Sequence, residues 1–126
     1  MSDESLLSFK EMCARFDVTP RTLRYYEYIE LLSPRKMGRS RYYGAREIAR
    51  MTLILRGRRF GFSLEDIRQW LQLYEQQGTK EQLQVWIDRA DQQLAELDKQ
   101  ITDLQTAQSE LKKLRDESAE ILKNQG

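Results

Sequence analysis

The stretch Thr19-Pro20-Arg21-Thr22-Leu23-Arg24-Tyr25-Tyr26-Glu27-Tyr28 places Arg21, Arg24, Tyr25 and Tyr28 within one side of a helix, with Leu23 and Tyr26 on the other. A guanidinium can bond bidentately to guanine or to phosphate, and a phenol can stack on sugar or base and donate to phosphate. A face of this kind suits the major groove of DNA. A solvated amphipathic helix meets the same pattern, and the stretch alone does not decide between them. Its start is well marked: Thr19 is a good N-cap, and Pro20 stands at the first helical position, where a missing N–H costs nothing.

The elements around this stretch must hold it. Ser8-Phe9-Lys10-Glu11 fits a capping box, and Phe9, Met12, Cys13 and Phe16 form the apolar stripe of a preceding helix. Cys13 reads as a small core residue, because no basic neighbour is arranged to make it a thiolate. Asp17 and Val18 lead straight into the Thr19 cap, with Val18 as a buried plug, which gives a helix-turn-helix. Leu31 and Leu32 close the second helix onto the core and Ser33-Pro34 breaks it. The run from Arg35 to Tyr43 then reads as a hairpin turning at Gly38, flanked by Arg35, Lys36, Arg39 and Arg41, as on a wing lying along a phosphate strand. Gly44 opens a third helix with Ile48, Met51 and Leu55 inward and Arg46, Arg50 and Arg56 outward. Gly61 ends it, and Ser63 with Asp66 caps a fourth, whose Leu64, Ile67, Leu71 and Tyr74 share a face. Arg58 and Arg59 project from the loop between them beside Phe60 and Phe62. Trp70 reads as packing rather than a nucleobase platform.

Thr79 and Gln82 make another capping box, and a long helix starts there. Leu83, Ile87, Ala90, Leu94, Leu97, Ile101 and Leu104 recur at spacings of 4, 3, 4, 3, 4 and 3, an a/d seam. Leu111, Leu114 and Ile121 fit better after a slip near Ala107. Unbroken to Lys123, the helix would be about 65 Å long, too long for a neighbour within the same chain to cover. The seam therefore calls for a second copy, and by itself does not give the strand direction.

Composition narrows the possibilities. The chain has 126 residues, 40% hydrophobic and 33% charged, the profile of one small domain with an extension. We read residues 1–76 as the first part and 77–126 as the second. No stretch approaches the roughly 20 apolar residues of a membrane span, and the acidic start at Met1-Ser2-Asp3-Glu4 is unlike a signal peptide, so a cytoplasmic location is expected. One cysteine and no histidine leave no ordinary metal-ligand set, and no cofactor is expected. The net charge of +1 hides an asymmetry: residues 1–74 hold 14 Lys and Arg against 9 Asp and Glu, a net +5, whereas residues 75–126 hold 7 against 11, a net −4. Between Arg35 and Arg59 there are nine basic residues and one acid, Glu47, the local footprint that a phosphate backbone selects.

Taken together, residues 19–27, the Leu31-Leu32-Ser33-Pro34 exit, Arg41-Tyr42-Tyr43, and residues 59–67 (Arg-Phe-Gly-Phe-Ser-Leu-Glu-Asp-Ile) resemble the MerR family of bacterial transcription regulators, in order and at the right spacing, over roughly residues 6–74. The resemblance implies a mainly α winged helix-turn-helix domain followed by a dimerisation helix, paired in this family as an antiparallel coiled coil. It also implies a homodimer on double-stranded promoter DNA, distorting an operator so that RNA polymerase can use it. The candidate DNA contacts are Arg21, Thr22, Arg24 and Tyr25 on the helix, Lys36, Arg39, Arg41 and Tyr43 on the first wing, and Arg58 on the second; Tyr26 belongs mostly to the core. The candidate dimerisation residues are Leu83, Ile87, Ala90, Leu94, Leu97, Ile101, Leu104 and Leu111. Ser40 stands where many members carry a wing tyrosine, and Gly44 where a polar cap is usual. The cysteines of the family's metal and redox sensors are absent after residue 74, and there is no room for the large ligand-binding domain of its multidrug sensors. Residues 53–59 and the glutamine-rich coil are similar to small members controlling branched-chain amino-acid and acyl-CoA breakdown. Trp70, Tyr74 and Trp86 mark a place for an unknown small-molecule effector and equally fit interface packing. The competing reading is a coiled-coil interaction protein whose basic front docks on an acidic protein. An enzyme is not expected, since no nucleophile is paired with a base.

Overall fold

The computed structural model describes residues 5–126; the acidic Met1–Glu4 start lies outside them. The chain divides into two compact units, Met1–Leu83 and Gln84–Gly126. In order, the elements are β1 (Leu7–Ser8), α1 (Phe9–Phe16), α2 (Pro20–Tyr28), β2 (Arg35–Met37), β3 (Ser40–Tyr43), α3 (Ala45–Arg59), α4 (Leu64–Gln76) and α5 (Lys80–Asn124). No helix of the described residues is long and apolar enough to cross a membrane.

Local chemistry sets the boundaries. At α1, the Glu11 N–H donates to Ser8 Oγ at 3.1 Å and the Ser8 N–H donates to Glu11 Oε1 at 2.9 Å, the reciprocal pairing of a capping box. Asp17, with φ of 52°, ends the helix in the left-handed region, and the Val18 N–H closes onto the Cys13 carbonyl. The chain re-enters helix two residues later, where Thr19 Oγ1 accepts from the Thr22 N–H at 3.1 Å. Ser63 with Asp66 and Thr79 with Gln82 repeat the reciprocal cap at α4 and α5.

The hairpin turns at Gly38 and Arg39, between Met37 and Ser40, which pair directly; Gly38 has φ of 66°, a conformation that favours a residue with no Cβ. The Leu6-Leu7 lead-in, too short to classify from sequence, supplies a third strand. Leu7 pairs with Tyr43 and Ser8 with Tyr42, giving an antiparallel sheet of order β1-β3-β2.

Met12, Leu23, Leu31, Leu32, Tyr43, Met51, Ile54, Ile67 and Leu71 are fully buried and form the core of the first unit. Two readings of α3 are corrected here. Its most buried positions are Glu47, Met51, Leu53, Ile54 and Gly57, whereas Ile48 and Leu55 are only half-buried. Arg50 does not point away: its guanidinium is largely covered, donating from Nε to the Leu31 carbonyl at 2.8 Å and pairing with Glu75. The physical reason is that α3 packs against α1, β3 and α4 together, so its buried surface is wider than one stripe. At Gly57 a Cβ would come within 2.7 Å of Ile67 Cγ1, so α3 and α4 approach as closely as they do because this residue has no side chain. Tyr74, expected on the inner face of α4, is exposed.

In the second unit α5 runs without a break through Ala107. Leu111 keeps the seven-residue spacing from Leu104, and it is Leu114 and Ile121 that leave the register while the helix stays continuous. Leu94, Ile101, Leu104 and Leu111 are exposed in the single chain, as are Leu114 and Ile121.

Candidate nucleic-acid interface

Arg21, Arg24 and Tyr25 stand exposed on α2, opposite the buried Leu23 and Tyr26. Thr22 is half-buried beside the cap, its Oγ1 accepting from the Thr19 hydroxyl at 3.0 Å. Arg21, Thr22, Arg24, Tyr25 and Tyr28 line an open groove whose far wall is Arg58, from the end of α3. Arg58 Nη1 reaches the Phe62 carbonyl at 3.4 Å. Beneath this second wing, Phe60 and Phe62 meet edge to face at 6.1 Å and Phe60 lies 6.5 Å from Trp70, which stiffens the turn.

On its other side Arg24 lines a second concavity, with Phe9, Lys10, Arg39, Arg41 and Tyr42. Arg24 is common to both, so the basic residues of the second wing, of α2 and of the first wing make one continuous surface. Lys36 is exposed on β2 directly across from Arg41, and alternation along the strands puts their side chains on the same face.

Tyr43 is a correction: it is fully buried and cannot reach a phosphate. Alternation carries it from the wing into the core, where its hydroxyl donates to Glu27 Oε2. Burial first, and then the hydrogen bond to that carboxylate, push the phenol's pKa up, so it stays a neutral donor. Glu27 also pairs with Arg41, Nε to Oε1 at 3.4 Å. Burial raises the thiol of the half-buried Cys13, and the charge of Arg24 opposes that rise.

Three longer-range contacts fix the chain where it leaves α2. Arg68 donates to the Ile29 carbonyl, Arg50 to the Leu31 carbonyl, and the Ser33 N–H to Glu47 Oε2 at 2.9 Å. Arg46 closes the set, with Nη1 2.7 Å from Glu47 and Nη2 3.3 Å from Glu75. Glu47 is thus a buried carboxylate with partners on more than one side, as a buried charge requires. Sequence reasoning missed Lys10, Phe9 and the carboxylates. Lys10 had a signal, lying off the apolar stripe of α1; the others had none that was local.

Among the described residues no group of three or more His, Cys, Asp or Glu side chains is placed to hold a metal ion. The arrangement offers fixed cations, phenols and a helix face, the equipment for binding a polyanion.

Residues 7–74 match the family model described as MerR HTH family regulatory protein, and residues 48–114 match that described as MerR, DNA binding. The chain belongs to the MerR family. MerR proteins are helix-turn-helix transcriptional regulators, and this chain is a DNA-binding regulator of that kind rather than an enzyme. It is 34% identical over 100 residues to the HTH-type transcriptional regulator HmrR of Rhizobium leguminosarum bv. viciae, covering 78% of this chain and 75% of the relative. Among solved structures it is similar to a MerR family transcriptional regulator from Bacillus cereus, with a TM-score of 0.67 and 24% identity over 83% of this chain and 76% of the other. A further likeness is to HiNmlR, described as a MerR family regulator lacking the sensor domain and bound to promoter DNA. Its TM-score is 0.63 at 17% identity, over 80% of this chain and 76% of that one. At these identities the two structures bear on the MerR fold alone.

Proposed function

We propose that the chain acts as a cytoplasmic homodimer that binds a two-fold promoter operator without a metal ion and distorts it for RNA polymerase. The observation that carries this reading is the continuous basic surface on which Arg24 joins the two concavities. In it, α2 enters the major groove, with Arg21 and Arg24 at base edges or phosphates and Tyr25 on the backbone. Lys36, Arg39 and Arg41 lie along phosphates on one side and Arg58 on the other.

The second copy is required by α5. Along its seam Leu83, Ile87, Leu94, Ile101, Leu104 and Leu111 are large apolar side chains exposed in the single chain, with Ala90 and Leu97 half-buried between them, a surface that association would remove from water. Antiparallel pairing is the arrangement the family suggests. The absence of histidine and the single cysteine in the sequence support metal independence. Residues 53–59 support placement among small regulators of branched-chain amino-acid and acyl-CoA breakdown.

The test is footprinting of the promoter of the chain's own operon, followed by a mobility-shift series in salt. A protected two-fold site, and an affinity falling by several powers of ten between about 50 and 200 mM salt, are expected for six or more phosphate contacts. No protected site and no shift at any salt would overturn the reading in favour of an acidic protein partner.

A further inference from the structure

Arg24 projects from α2 and Arg41 from β3, yet both guanidinium groups lie over the ring of Phe9, at 5.6 Å and 5.7 Å from its centroid. Two cations brought to one ring repel each other, so the arrangement needs opposing attraction. The ring's negative face supplies part of it. The Glu27 carboxylate, paired with Arg41 and accepting from the Tyr43 hydroxyl, adds an attraction on the Arg41 side.

Phe9 belongs to neither of the elements it joins. It is the first residue of α1, fixed by the Ser8–Glu11 capping box. The strand just before it is paired with β3, Ser8 to Tyr42, next to Arg41. The ring is therefore held by backbone on the wing side and by α1 on the helix side.

We infer that Phe9 is a positioning residue that couples the reading helix to the first wing, holding Arg24 and Arg41 at a fixed separation before DNA arrives. This rests on the reading of the surface as a DNA interface. A prearranged pair spares the ordering of two long side chains on binding, so the contributions of Arg24 and Arg41 to affinity depend on each other through the ring. A ring that merely filled space would not link them.

The experiment uses the full chain and two duplex probes: one selected by the wild-type chain from a random library, and poly(dI-dC) as a sequence-neutral competitor. F9L removes the ring and keeps an apolar side chain; F9M makes the same comparison with a more adaptable one; F9Y restores the ring. F9L and F9M should bind the selected duplex about tenfold more weakly and the neutral probe less so, since there only the phosphate contact of Arg41 is displaced, and F9Y should recover most of the loss. In a cycle of R24A, R41A and the double variant, the effects should be strongly non-additive with Phe9 and additive within about twofold in F9L or F9M. Equal coupling with and without the ring, or equal losses on both probes, would overturn the inference while leaving the DNA reading intact. Failure of the wild-type chain to select any duplex would overturn the DNA reading itself, and this inference with it.

Discussion

Substituting Gly57 by alanine sets two calculable effects against each other. Alanine is favoured over glycine inside a helix by about 1 kcal/mol, and Gly57 lies inside α3. The added methyl, however, would stand 2.7 Å from Ile67 Cγ1 and 3.0 Å from its Cδ1. Ile67 is fully buried and cannot turn aside freely. Overpacking of this kind costs about 1–3 kcal/mol, so the net expectation is a loss of up to about 2 kcal/mol. For a domain of this size, each kcal/mol is about 4–8 °C in melting temperature. Calorimetry at fixed protein concentration, which holds the contribution of self-association constant, should show the midpoint falling. The sign should reverse in an Ile67→Ala background. There the obstructing atoms are gone, and Gly57→Ala should stabilise by about 0.5–1 kcal/mol through helix propensity alone. A higher midpoint for Gly57→Ala with Ile67 present would refute the claim that the α3–α4 approach depends on a missing side chain.

Arg24→Ala should weaken specific binding by about 1–3 kcal/mol and relax preference at one base pair, whereas Arg58→Ala should weaken all duplexes alike and flatten the salt slope by about one unit, both read by mobility shift. Tyr43→Phe should leave the salt slope unchanged and lower stability by about 1.5–3 kcal/mol, the range for a hydrogen bond to a charged acceptor, as measured by urea unfolding. Ile101→Glu should lose about 1.5–3 kcal/mol of apolar burial per copy and shift light-scattering mass from dimer to monomer. The Ser8 backbone and side-chain hydrogen bonds lower the pKa of Glu11. Its contribution to stability is therefore present above the unfolded-state pKa and lost as pH falls through the lower folded value, and NMR titration of the Glu11 carboxyl should give a midpoint below 4.5.

The helices and their caps were legible because their signals are short-range: Ser8 with Glu11, Ser63 with Asp66 and Thr79 with Gln82 each span three residues. The division of α2 into an outward and a buried face was legible for the same reason, since its periodicity lies within nine residues. What the sequence hid depends on partners distant along the chain. Tyr43 read as part of an exposed wing, and only its pairing with Leu7 and its bond to Glu27, 16 residues away, turn it inward. Arg50 read as an outward charge on α3 and Glu47 only as the lone acid of a basic stretch; their partners Leu31 and Ser33 lie 19 and 14 residues earlier. A period of 3.6 residues also blurs when a helix is covered on several sides, as α3 is.

The contacts made by Arg68 and Arg50 to Ile29 and Leu31, and by Glu47 to Ser33, all meet main-chain atoms. A carbonyl or an amide is the same whatever residue bears it, so the frame that aims α2 is indifferent to the side chains on the segment it grips. The gripped atoms belong to residues 29, 31 and 33, just beyond α2, so the outward positions 21, 25 and 28 lie outside these contacts, whereas Arg24 is tied to Phe9. On the function proposed above, a library confined to positions 21, 25 and 28 is expected to yield variants with new duplex preferences, read by selection from random duplexes.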